Sequence, residues 1–187
     1  MCIRDSISTA LSESLRATVF AAIAAARDAG VRVSFDLNYR SRLWSEKEAK
    51  KVYAKIVPLC DVVFAGSDEA AILVGDHDDP HVLAARLLAL GAGEAVIKLG
   101  AEGAIAATAS ESAAHDAVPV TVVDTVGAGD AFVAGYLAEA LEGLDLHGRL
   151  RTAVATGAYA CLAAGDWEGL PRRDELEALT ATEPVTR

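Results

Sequence analysis

The apolar residues of this chain recur in short β-branched runs and in longer stretches at three- and four-residue spacing, the periods of strands and helices. The sharpest change of period lies between residues 120 and 141. Val120, Thr121, Val122 and Val123 form a run of the kind that makes a buried strand, whereas Phe132, Val133, Tyr136, Leu137 and Leu141 stand at helical spacing. Upstream, residues 7–11 read as the tail of a strand, and Ser12 or Ser14 caps a helix that runs to about Ala29 and closes at Gly30. A strand over 31–36 follows, then a charged helix from Glu46 to Val57 stopped by Pro58, and a buried strand over 60–64. A helix begins at 66–73, and another runs from Pro80 to Leu90 with Asp79 as its cap. Strands over 95–99 and 104–108 are joined as a hairpin by the turn at 100–103, and 110–117 reads as a loop. Helices over 148–163 and 173–179 complete the chain, and strands alternating with helices predict an α/β fold.

Composition narrows the field. With 187 residues, 52% of them hydrophobic, there is material for one cored domain and too little for two. The formal net charge of -10, with no basic stripe to offset it, argues against nucleic-acid binding. Cys2, Cys60 and Cys161 have no Cys-x-x-Cys spacing and fit reduced thiols of a cytoplasmic protein, two of them core residues. No apolar run approaches membrane-spanning length and no secretory leader is evident. Asp76, His77, Asp78, Asp79 and His81 lack zinc spacing, and the capping role of Asp79 before Pro80 explains the group more simply. Residues 1–6 match nothing downstream and are read as a foreign leader, so the natural chain is expected to extend further upstream of residue 7.

The chemistry concentrates at Gly127, Ala128, Gly129 and Asp130, between the β-branched run and the helix. A helix start carries unpaired N–H groups and partial positive charge, and glycines let a phosphate come close. Asp130 stands at the mouth of that site, placed to take a proton from an attacking hydroxyl, although an acid there also serves as an ordinary helix flank. Asp124, Thr125, Gly127, Ala128, Gly129, Asp130, Ala131 and Phe132, with one free position, resemble the C-terminal signature of the ribokinase-like (PfkB) sugar kinases. In that family the matching Asp is the catalytic base and the glycines hold the phosphates of ATP.

The resemblance extends to other segments. Asp36, Asn38, Arg40, Leu43 and Trp44 are similar to the D-x-N-x-R-x-x-L-W segment of 2-keto-3-deoxygluconate kinases. It implies that Arg40 contacts an acidic sugar and that Asn38 borders the nucleotide; without it, Arg40 and Arg42 read as a solvated loop. Lys98, Gly100, Ala101, Glu102 and Gly103 resemble the K-x-G-x-x-G segment that lines the adenine and ribose. Glu69 matches the acid of the family's N-x-x-E motif, but Gly66 replaces its Asn. Glu69 is therefore a water-mediated Mg²⁺ partner at most, and a first-turn carboxylate that favours the helix dipole otherwise. Asp166 falls where sugar-acid kinases place an acid against the substrate, or is a plain turn residue. Val154 stands where relatives often carry an adenine-touching Asn, so that contact is not carried over.

The implied fold is a three-layer ribokinase-like (Rossmann-like) α/β sheet with helices on both faces, lacking the N-terminal part and the β lid. Residues 7–187 then form the C-terminal nucleotide-binding part of a sugar kinase domain. The implied activity is ATP- and Mg²⁺-dependent phosphorylation of a sugar or sugar acid, 2-keto-3-deoxygluconate favoured, on a primary hydroxyl. A fructokinase- or ribokinase-type kinase of a neutral sugar and a non-catalytic nucleotide-binding piece stay open beside it. Relatives often pair through the lid, so a homo-oligomer is an expectation for the full-length protein only. A chain missing strands exposes a sheet edge, and little activity is expected from it alone.

Overall fold

The computed structural model describes residues 2–180, in two compact units: residues 2–99 with 105–112, and residues 100–104 with 113–180. The first unit opens with β1 (Cys2–Asp5), α1 (Ser6–Leu11), α2 (Glu13–Asp28) and β2 (Val33–Asp36). It continues through α3 (Glu46–Ile56), β3 (Val62–Gly66), α4 (Ser67–Val74), α5 (Pro80–Ala89) and β4 (Ala95–Lys98). β5 (Ala104–Ala107) lies in it save for its first residue. Strands β1 to β5 stand side by side in sequence order, and β1 through β4 run parallel.

Successive residues of a strand face opposite sides of a sheet. Val33, Phe35, Val63, Ala65, Ala95 and Ile97 face the principal core cluster, yet the alternating set Ser34, Asp36, Val62, Phe64 and Val96 is buried as well. Both faces of these parallel strands are therefore covered, which is why they read as continuous apolar runs and not as alternating ones.

Local signals start the helices. The Leu15 amide donates to Ser12 Oγ (3.1 Å) at the head of α2, whose Val19, Ile23 and Ala26 are buried. A capping box opens α3, with the Ser45 amide donating to Glu48 Oε2 and the Glu48 amide to Ser45 Oγ. Its buried stripe is Ala49, Val52, Tyr53 and Ile56. Asp79 Oδ1 accepts the His81 amide (2.8 Å) ahead of α5, the capping role expected of it.

The second unit holds β6 from its second residue (Ser112–His115 overall), α6 (Ala128–Leu141), α7 (Leu146–Ala160) and α8 (Arg173–Thr180). α6 and α7 pack closely because small residues meet between them. A side chain on Gly135 would collide with Thr156, and a Cβ on Gly157 would lie 3.3 Å from the Ala128 carbonyl oxygen. Thr156 Oγ1 lies 2.9 Å from the Ala131 carbonyl, next to Asp130. Buried Glu139 accepts from Thr152 Oγ1 (3.0 Å) and from Arg173 Nη1 (2.6 Å), which ties α8 to α6.

Several expectations change. Residues 120–123 are not a strand: Val122 and Val123 are exposed, and the Val123 and Asp124 amides both donate to the Cys161 carbonyl (2.8 and 3.4 Å). The β-branched run is thus held by the C-terminus of α7 and joins no ladder. Residues 7–11 belong to α1, in which Thr9 Oγ1 donates back to the Ser6 carbonyl (2.7 Å) and both residues are buried. The loop expected over 110–117 contains β6. Residues 2–5 form β1, paired in parallel with β2 from Cys2 opposite Val33 to Asp5 opposite Asp36, a pairing that leaves the reading of residues 1–6 as a foreign leader where it stood. Of the two cysteines whose side chains are described, Cys60 is buried and Cys161 half-buried.

Candidate active site

The second unit carries the helix tip. Gly127 is the N-cap of α6 in a left-handed conformation, φ 78°, and any side chain there would collide with the Asp166 carbonyl oxygen. The first helical hydrogen bond runs from the Ala131 amide to the Gly127 carbonyl (2.9 Å), and the Ala128 amide makes a long contact to the Thr125 carbonyl (3.3 Å). The Gly129 and Asp130 amides precede every acceptor within the helix and carry its positive end. Asp130 is the third residue of α6, and both it and Gly129 are exposed. A free carboxylate thus stands beside unpaired donors, an arrangement able to hold an anion and accept a proton from a neighbouring alcohol.

Asp124 organises the approach to this tip. Its Oδ1 accepts the Val126 amide (3.1 Å) and its Oδ2 the Gly165 amide (3.3 Å), and these bonds hold its carboxyl below the usual range. The segment before the helix is thereby clasped to the 161–166 loop, which brings the Asp166 backbone against Gly127 while Asp166 itself is exposed. In the same unit, Gly100, Ala101 and Glu102 form a 3-10 turn with exposed residues, closed by the Gly103 amide on the Gly100 carbonyl (3.2 Å). Gly103, at φ 104°, is buried where a side chain would strike the His115 carbonyl.

The first unit gathers a separate set at the carboxyl ends of its parallel strands, where open α/β sheets meet their ligands. Lys98, at the end of β4, reaches past β3 to Asp36 at the end of β2, with Nζ 3.0 and 2.8 Å from the two carboxylate oxygens. Burial pushes the Asp36 carboxyl up, and Lys98 pulls it back only in part. Asp36 Oδ1 also accepts the Asn38 amide (3.2 Å). Buried Asn38 adopts φ 33°, the one non-glycine residue with positive φ among those described. Arg40 is exposed, its guanidinium donating to the Tyr39 carbonyl (3.1 Å). Glu69 accepts the Tyr39 amide through Oε1 (2.9 Å) and the Gly66 amide through Oε2 (2.7 Å).

The expected residues therefore divide. Asn38, Arg40, Glu69 and Lys98 lie in the first unit; Gly100, Ala101, Glu102, Gly103, Gly127, Ala128, Gly129, Asp130 and Asp166 lie in the second. The sequence reading missed the side-chain roles of Asp36, Asp124, Ser6 and Tyr53. Asp36 and Asp124 each accept an amide two residues on, a turn habit of Asp that the Asp-x-Asn and Asp-Thr-x spacings signal. Nothing local signals Ser6 or Tyr53. Among the described residues, no group of three or more His, Cys, Asp or Glu side chains is arranged to hold a metal ion. No helix among them is long and apolar enough to cross a membrane.

Known proteins resemble this chain over most of its length. It is 34% identical over 180 residues to a 2-dehydro-3-deoxygluconokinase of Bacillus subtilis (strain 168), covering 95% of this chain and 55% of that protein. It is 36% identical over 182 residues to a fructokinase of Klebsiella pneumoniae, covering 91% of this chain and 58% of that protein. The crystal structure of aminoimidazole riboside kinase from Salmonella enterica, complexed with aminoimidazole riboside and an ATP analog, superposes with a TM-score of 0.85 at 32% identity. That match covers 95% of this chain and 61% of the other. The fold is thus the α/β fold of ribokinase-like structures, and the chain spans about half the length of the curated relatives it matches. Residues 6–173 match the profile described as pfkB family carbohydrate kinase, and the chain belongs to that family.

Proposed function

We propose that this chain is the C-terminal part of a kinase that transfers the γ-phosphoryl group of ATP to a primary hydroxyl of a sugar or sugar acid, with 2-keto-3-deoxygluconate the favoured acceptor. The observation that carries the reading is the exposed Asp130 at the third position of α6, beside the Gly129 and Asp130 amides. Asp130 takes the proton of the attacking hydroxyl, and the amides of the α6 tip hold the negative charge of the phosphates. Mg²⁺ bound with ATP would supply charge neutralisation on those phosphates. The turn at Gly100, Ala101, Glu102 and Gly103 lines the nucleoside, and Asn38 and Lys98 belong to the same binding role.

Arg40 carries the substrate assignment. Its exposed guanidinium is a planar fork suited to a carboxylate, and 2-dehydro-3-deoxygluconokinases are among the relatives at about 35% identity. Asp166 is assigned to the sugar as well. The Klebsiella fructokinase, at 36% identity, favours a neutral sugar as the second reading. A coupled assay of the full-length enzyme decides between them. We expect keto-deoxy sugar acids to give the highest kcat/KM, with Arg40→Ala abolishing that preference; equal or better turnover of fructose or ribose contradicts the sugar-acid reading. ATP binding without turnover of any sugar would instead mark a nucleotide-binding module.

A further inference from the structure

The turn that carries Arg40 is held by side chains from four separate places in the first unit. Tyr53 Oη, on α3, donates to the Leu37 carbonyl (2.7 Å), and Ser6 Oγ, at the start of α1, donates to the Asn38 carbonyl (3.1 Å). Asp36 accepts the Asn38 amide, and Glu69 accepts the Tyr39 amide. Each backbone polar group from the Leu37 carbonyl to the Tyr39 amide is thus met by a side chain. This is the kind of surrounding that keeps a non-glycine residue at φ 33°.

Glu69 differs from the other three in holding backbone groups of two elements at once. One carboxylate oxygen takes the Tyr39 amide in the turn and the other takes the Gly66 amide at the entry to α4. Gly66 contributes no side chain at the N-cap, so Glu69 supplies the side chain that ties the start of α4 to the turn one residue before Arg40, in addition to the backbone bond from the Leu37 amide to the Phe64 carbonyl (2.9 Å). A carboxylate with an amide hydrogen on each oxygen is oriented by the backbone and is poorly disposed to follow a metal ion.

We propose that Glu69 is a positioning residue for sugar binding: it fixes residues 38–40 against α4 and thereby aims Arg40, acting through the backbone and not through Mg²⁺. The kinetic consequence rests on the assignment of Arg40 to the sugar; the clasp itself does not.

The test has two arms. In the 187-residue chain, amide hydrogen exchange is measured at Tyr39 and Gly66 for the native sequence, Glu69→Gln and Glu69→Asp. Gln presents a donor to one of the two amides, and Asp is one methylene too short to span both. Each substitution should accelerate exchange at one or both amides by about tenfold or more, the scale of one lost hydrogen bond to a charged acceptor. In the full-length kinase, both substitutions should raise the sugar KM by about tenfold while kcat and the Mg²⁺ dependence stay put. Neither should add to the effect of Arg40→Ala, because residues acting as one unit are non-additive.

Unchanged exchange at both amides overturns the clasp. A lowered kcat with a shift to higher Mg²⁺ requirement, restored by Glu69→Asp, overturns the positioning role in favour of a metal partner. Accelerated exchange with no effect on any sugar KM leaves the clasp standing and overturns the assignment of Arg40. Should Glu69→Gln fail to fold, Glu69→Asp, which keeps the charge, carries both arms.

Discussion

Asp130→Asn in the full-length kinase is expected to lower kcat by about two to four powers of ten while ATP–Mg²⁺ affinity measured by calorimetry stays within a factor of about two, the signature of a missing general base. Asn is nearly isosteric with Asp, so the α6 tip and the backbone amides of its first turn keep their places; only the proton acceptor goes. The exposure of Asp130 makes this substitution structurally mild, since no buried partner depends on it. If activity survives at more than about a tenth of the native rate, another group removes the proton, and the assignment of Asp130 fails.

Lys98→Met is expected to destabilise the first unit by about 3 kcal/mol at pH 7, at the low end for breaking a buried ion pair because the Lys98 side chain still reaches solvent. It leaves the Asp36 carboxylate buried, with the Asn38 amide (3.2 Å) in place of an ammonium that had met both carboxylate oxygens. The pH dependence gives the cause away. The folded-state pKa of Asp36 is raised above 3.8, chiefly by burial, so its contribution to stability is fully present below 3.8 and is lost as pH rises through the folded value. Removing Lys98 takes away what lowers that pKa, so the folded value climbs further and more stability is lost at neutral pH. Urea denaturation should therefore show the variant and native curves converging as pH falls from 7 toward 4. A constant offset across that range would assign the loss to packing instead.

The helices were legible because their signals are local. Ser12, the Ser45–Glu48 pair and Asp79 before Pro80 each act within three residues, and the structure begins a helix at all three. The failures share a cause in tertiary context. Residues 120–123 have the composition of a strand but no ladder to join, and the Val123 amide at the end of the run goes to the Cys161 carbonyl. At the start of α1 the Ser6 and Thr9 hydroxyls serve buried turn and helical contacts, which no period of apolar residues reveals.

The site divides along the same line. Gly127, Gly129 and Asp130 form a contiguous signature whose geometry follows from a glycine N-cap and the first turn of one helix. The clasp around Asn38 joins residues 16 to 32 positions apart, and a carboxylate such as Glu69 looks in sequence like any first-turn acid. Only coordinates show that its two oxygens are already taken by amides. The Lys98–Asp36 pair likewise joins residues 62 positions apart, which no local spacing signals.

Whether the tip of α6 grips the phosphates of a nucleotide, with Asp130 alongside, can be read from the backbone amide resonances of the chain as ATP–Mg²⁺ is added. The Gly129 and Asp130 amides should move first and furthest downfield, as donors do on meeting phosphate oxygens, and AMP should move them far less. Saturation by ATP with these two resonances unmoved would put the phosphates elsewhere and overturn the assignment of the helix tip.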